Sequence, residues 1–133
     1  MSNIIDKLAW LYVQDGMLLV ARLQQLDVFY LPSDLRRADE TPERNLQRAI
    51  QESFSVKLKL DTIQAVGTFC AQAEREVGNV QVQLCCHFGD CDGEIRPQGE
   101  VAEIRYVLHR DMHLCSSATG LAMQWLYEQK LIN

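Results

Sequence analysis

Apolar and polar positions recur along this chain at two periods, and the change from one to the other divides it into strands and helices. In "KLAWLYVQDGMLLVARL" two apolar runs flank Asp15-Gly16, a dipeptide suited to the positive φ angles of a tight hairpin turn. "VFYLP" predicts a short third strand. The period then lengthens: Leu46, Ile50 and Phe54 recur at i, i+4 and i+8, the apolar stripe of an amphipathic helix. Its start is marked by Thr41 as N-cap and by Pro42 where no N–H is needed. Asp39, Glu40 and Glu43 stand near the positive end of the helix dipole.

Beyond this helix "TIQAVGTFCAQ" and "VGNVQVQLCCHFGD" read as strands, the second alternating Val80, Val82 and Leu84 with Gln81 and Gln83. Gly78-Asn79 and Asp92-Gly93 punctuate them. "EVAEIRYVLHR" predicts a further strand. "SSATGLAMQWLYEQKLI" predicts a closing helix capped by Ser116 or Ser117, with Leu121, Trp125 and Leu126 turned inward. The order β-β-β-α-β-β-β-α predicts an α/β fold in which a mixed sheet is covered by helices on both faces.

A length of 133 residues fits a single domain, residues 1–133, with one core and no linker. A net charge of −5 argues against a basic footprint for nucleic acid or anionic lipid and favours a small-molecule partner. No apolar run approaches the roughly 20 residues that span a bilayer, and "MSNIIDKLAW" lacks the features of a signal peptide. A cytoplasmic location is expected. The five cysteines, Cys70, Cys85, Cys86, Cys91 and Cys115, form no C-x-x-C pair and fit reduced thiols. Cys85 and His87 in "LCCHFGDC" share one strand face and invite a zinc reading, but structural zinc needs four ligands and buried strand cysteines are common.

The first helix also carries candidate chemistry. With 100° per residue, Ala49, Glu52 and Ser53 adjoin the apolar stripe. Carboxylates on such a face hold hard divalent cations against a pyrophosphate, because these ions take oxygen ligands and offset the charge that develops on a phosphoryl group under attack. Here only Glu52 supplies one.

At this point the stretch Asp34 to Val56 resembles the signature of the Nudix family, G-x5-E-x7-R-E-U-x-E-E-x-G-U, with U a bulky aliphatic residue. Glu40, Arg48, Ile50, Glu52 and Val56 match it. Asp34 stands for the opening glycine, Ala49 and Ser53 for two glutamates of the core, and Ser55 for the late glycine. "WLYVQDGMLLVARL", "FYLPSD", "GEVAEIRYV" and the closing helix are similar to further family segments, so the likeness covers nearly the whole chain.

The resemblance implies the Nudix fold, an α/β/α sandwich, and hydrolysis of a nucleoside diphosphate linked to another moiety with Mg2+ or Mn2+. It implies catalytic positions at Glu52, Arg48 and Glu40, with Glu40 and Arg48 bracing loop and helix. Glu52 is the surviving metal ligand; Asp34 and Glu100, or Glu103 in the same late strand, are candidate replacements for the two lost ones. Ala49 offers no ligand and Ser53 a neutral hydroxyl, which puts the family mechanism in question. Two readings follow: a divergent pyrophosphohydrolase of weak or lost activity, or a non-catalytic Nudix-fold module that binds a nucleotide or a protein. A homodimer is a further expectation. The variable segment Gln72 to Asn79 is the expected reader of base or sugar, and the substrate itself stays unassigned.

Overall fold

The computed structural model describes residues 3–73 and 78–133. A long first strand, β1 (Asn3–Leu11), runs into a hairpin of β2 (Val13–Gln14) and β3 (Met17–Leu23). Asp15 and Gly16 form its turn with φ of 54° and 75°, as their sequence predicts. Gly16 is needed for a second reason. The chain end packs against it, with Asn133 N–H donating to the Gly16 carbonyl at 2.9 Å, and a Cβ here would collide with the Asn133 side chain.

The short strand predicted over 28–32 is displaced. Phe29 and Tyr30 make only isolated bridges, to Cys115 and Ala21, and the strand proper is β4 (Ser33–Leu35). The shift arises because residues 29–32 span the gap between two sheets: Ala21 N–H donates to the Tyr30 carbonyl and Trp10 N–H to the Pro32 carbonyl, both at 2.8 Å.

Helix α1 (Pro42–Phe54) starts where predicted, with the Thr41 hydroxyl accepting from Arg44 N–H at 3.2 Å. After it come β5 (Lys57–Leu58), a 3-10 turn, β6 (Gln64–Gln72), β7 (Val80–Phe88), β8 (Cys91–Asp92) and β9 (Val101–Val107). A second 3-10 turn leads to α2 (Ser117–Glu128), capped by Ser116. One sheet has the order β4-β1-β7-β6, a second β2-β3-β9, and β5 pairs with β8. The first is mixed: β1 and β7 run parallel from Asn3↔Val80 to Leu11↔Phe88, whereas β4 and β6 are antiparallel to their neighbours.

The expected single core is instead two clusters, one under each helix. β1 and β3 are buried on both faces, so alternation splits their apolar residues between the two. Leu8, Trp10, Leu19 and Ala21 meet Leu46, Ile50 and Phe54 of α1. Ala9, Leu11, Leu18 and Val20 meet Ala118, Ala122, Met123 and Leu126 of α2. Leu121, expected to turn inward, is exposed. At 100° per residue it lies well round the helix from the Ala122, Met123 and Leu126 stripe. Trp125 packs half-buried against Phe69 and Phe88. No helix among the described residues is long and apolar enough to cross a membrane.

Candidate functional site

The C-terminal half of α1 is held by a loop that the sequence does not mark. Ser55 ends the helix in the left-handed conformation, φ 65°, with its N–H on the Gln51 carbonyl at 3.2 Å. The segment leading to β9 then takes up the remaining carbonyls: Arg96 N–H donates to Phe54, Gln98 N–H to Ser53, and the Gln98 side-chain amide to Gln51 and Glu52. Every orphan carbonyl of the last turn is satisfied, which fixes the helix end against the sheets.

At the other end, buried Asn45 pins the approach to the helix. Its Oδ1 accepts from Arg37 N–H at 2.7 Å and its amide donates to the Leu35 carbonyl. The loop thus anchored brings Asp34 and Glu40 to the same side of α1 as Arg48. The Arg48 guanidinium donates to Glu40 through Nη2 at 2.8 Å and through Nε at 3.0 Å, and to Asp34 Oδ2 at 3.2 Å. A longer contact of 3.5 Å reaches Glu52 Oε2. One cation therefore gathers three carboxylates. The hydrogen bond to Arg48 holds the Glu40 carboxyl below the usual range, and the pairing raises the Arg48 pKa in return.

The positions expected to share a face separate. Ala49 is buried, 6% exposed. The Glu52 side chain is 64% exposed and looks onto an open polar groove with Gln47 and Gln51, whereas Ser53 turns to the rim of a cleft on the other side of the helix end. Asp34 lies in β4, opposite Leu8. Glu103 is paired with Arg22 at 3.1 Å and Arg105 at 3.0 Å, whose hydrogen bonds lower its pKa. Glu100 is exposed, and its neighbour Gly99 packs beside the Glu52 carbonyl. Cys85 contacts Asp6 and Thr68, His87 is buried, and among the described residues its Nδ1 has no partner and no three His, Cys, Asp or Glu are grouped to hold a metal ion.

The cleft has a volume of about 320 Å3 and opens between β1, β3, β7 and the end of α1. Its walls are mostly apolar, among them Leu31, Phe54 and Val82, with Lys7, Ser33 and Ser53 as polar points. Burial lowers the pKa of Lys7, an effect that the nearby negative charge of Asp34 partly offsets. Of the variable segment expected to read a ligand, Gln72 and Ala73 border the adjoining hollow; residues 74–77 lie outside the described residues.

No family model matches the chain, and no curated protein matches it by sequence. Solved structures do. The E. coli ORF135 protein, in solution, superposes with a TM-score of 0.76 over 97% of this chain and 92% of its own, at 17% identity. A MutT NUDIX hydrolase from Burkholderia pseudomallei gives 0.70 over 92% and 97%, at 14% identity. The chain has the Nudix fold. A bifunctional NMN adenylyltransferase/ADP ribose pyrophosphatase from Francisella tularensis, complexed with AMP and a Mn ion, gives 0.68 at 12% identity, covering 98% of this chain and 43% of that one.

Within the Nudix fold, α1 is the helix on which the signature residues fall, and its donor set can be tested against a divalent ion. Asp34 and Glu40 are already satisfied by Arg48, Ala49 is enclosed and Ser53 is neutral. The set does not fit a cluster of the three-carboxylate kind, which needs ionised oxygens converging on one point. Two residues that matter here escape a sequence reading. Lys7 had a signal, a charge between Ile5 and the apolar run from Leu8. Asn45 had one too, a polar residue beside Leu46 on the inner face of the helix.

Proposed function

We propose that this chain is a Nudix-fold module that binds a nucleotide-type ligand and has lost the metal-dependent hydrolysis of diphosphates associated with that fold. The observation that carries this reading is the donor set of the helix face, where Ala49 is enclosed and without a ligand atom, Ser53 is a neutral hydroxyl and Glu52 alone is a carboxylate. Of the candidate replacements, Asp34 is paired with Arg48 at 3.2 Å and Glu103 with Arg22 and Arg105. The cleft supports the binding half of the proposal. Its size lies within the range of small-ligand sites, and its few polar groups stand in mostly apolar walls, as such sites require. The Mn ion and AMP of the Francisella protein belong to that protein; they make a nucleotide the first ligand class to try.

A second reading, a divergent pyrophosphohydrolase using Mg2+ or Mn2+, is favoured by one feature. Glu52 is open to solvent, and the backbone at Gly99, next to Glu100, lies beside the Glu52 carbonyl. The two readings separate in one experiment. Incubate the protein with a panel of nucleoside diphosphate derivatives with and without Mg2+ or Mn2+, follow products by chromatography, and measure binding by calorimetry. Binding that is indifferent to metal, without turnover, supports the module. Metal-dependent cleavage that disappears in Glu52→Gln establishes the hydrolase instead.

A further inference from the structure

We infer that Lys7 makes the cleft selective for nucleotide bases that present a keto oxygen, guanine and uracil, over those that present an amino group at the corresponding position, adenine and cytosine. This rests on the nucleotide reading above. The walls favour a base over a phosphate: Leu31, Phe54 and Val82 can cover the apolar faces of a flat ring, whereas a phosphate dianion would lose its hydration shell for a single ammonium.

Among the described polar side chains that line the cleft, only Lys7 is a donor and never an acceptor. Ser33, Ser53 and Tyr30 carry hydroxyls, which can give or accept and so serve either kind of base edge. The ammonium is a donor only. A keto oxygen facing it completes a charge-assisted hydrogen bond. An exocyclic amino group in the same place sets donor against donor, and neither gains a partner from the other. Lys7 lines the cleft, and among the described residues no carboxylate lies within ion-pair distance of its ammonium. Asp34 acts only from further off, its own carboxylate being taken by Arg48. β1 holds the position of Lys7 by pairing it with Leu35 on one side and Leu84 on the other.

The test is a set of dissociation constants for GDP, ADP, UDP and CDP, measured by calorimetry without divalent metal, on the full chain and on Lys7→Met and Lys7→Arg. The expected result is a preference of about fivefold or more for GDP over ADP and for UDP over CDP in the unchanged protein. Lys7→Met should abolish it and Lys7→Arg, also a donor, should keep it. Four nucleotides bound with equal affinity by the unchanged protein overturn the role of Lys7 and leave the nucleotide reading standing. A preference that survives Lys7→Met in a variant shown to be folded by circular dichroism does the same. Failure of all four to bind overturns the nucleotide reading and the assignment with it.

Discussion

Arg48 and Glu40 are joined by parallel hydrogen bonds, Nη2 to Oε1 at 2.8 Å and Nε to Oε2 at 3.0 Å, across the loop that enters α1. The planar fork of the guanidinium matches both carboxylate oxygens, so the pair sets the orientation of the loop as well as neutralising charge. The same guanidinium also reaches Asp34 at 3.2 Å through Nη2 and Glu52 at 3.5 Å through Nη1, so one arginine contacts all three carboxylates.

Removing that cation should expose the carboxylates to each other and to metal. Arg48→Met is expected to lower the thermal midpoint by several degrees, and millimolar Mn2+ should recover part of the loss while leaving the unchanged protein little affected. Differential scanning fluorimetry across a Mn2+ series decides it. A variant that responds to Mn2+ no more than its parent would show that these carboxylates cannot converge on an ion.

The depressed pKa of Glu40 gives a signed pH dependence. The folded-state value lies below the ordinary 4.5, so the stabilisation is complete above that pH and is lost as pH falls through the lowered folded value. Urea midpoints measured between about pH 5 and about pH 3 should therefore fall more steeply for the unchanged protein than for Glu40→Gln. Parallel curves would remove the pair from the acid response. Glu103, held by Arg22 and Arg105, adds a contribution of the same sign and leaves some slope in the variant.

Ser55 offers a gain. Its φ of 65° is the left-handed region where a side chain is strained and glycine is not. Ser55→Gly should stabilise the protein by about 1 kcal/mol, and Ser55→Val should destabilise it by a similar amount. Chemical denaturation of both variants measures the difference, and an effect of opposite sign in either would mean that the serine hydroxyl makes a contact worth more than the strain.

Restoring glutamates along the helix face should not be symmetrical. Ala49 is enclosed, so Ala49→Glu must bury a carboxylate or distort the helix and should cost about 2 kcal/mol or more. Ser53 is half-buried at the cleft rim, and Ser53→Glu should cost less than about 1 kcal/mol. Any gain in Mn2+ affinity, read by titration calorimetry, is expected from Ser53→Glu. Equal costs for the two would contradict the separation of these positions.

Much of this protein is legible in the order of its residues, because the features concerned are local. The Asp15-Gly16 turn, the Thr41 cap, the Leu46, Ile50 and Phe54 stripe and the strand alternation each depend on a few neighbours and the period of one element. Those same elements pointed to the α/β arrangement and to the Nudix resemblance that the solved structures bear out at the level of fold. What tertiary structure alone decided are relations between distant segments. That Leu121 faces solvent depends on which arc of α2 the sheet covers. That residues 29–32 bridge two sheets rather than form a strand depends on where β1 and β3 diverge. The site follows the same rule. A wheel placed Ala49, Glu52 and Ser53 on one face, yet packing buries the first, leaves the second in water and turns the third into the cleft. Sequence alone established that Asp34, Glu40, Arg48 and Glu52 are present, and two of these pairs are separated by a loop whose path is set by a single buried asparagine. Ion pairs act over a few ångströms in space and carry no fixed spacing along the chain, so only the folded loop determined that one arginine would gather all three carboxylates.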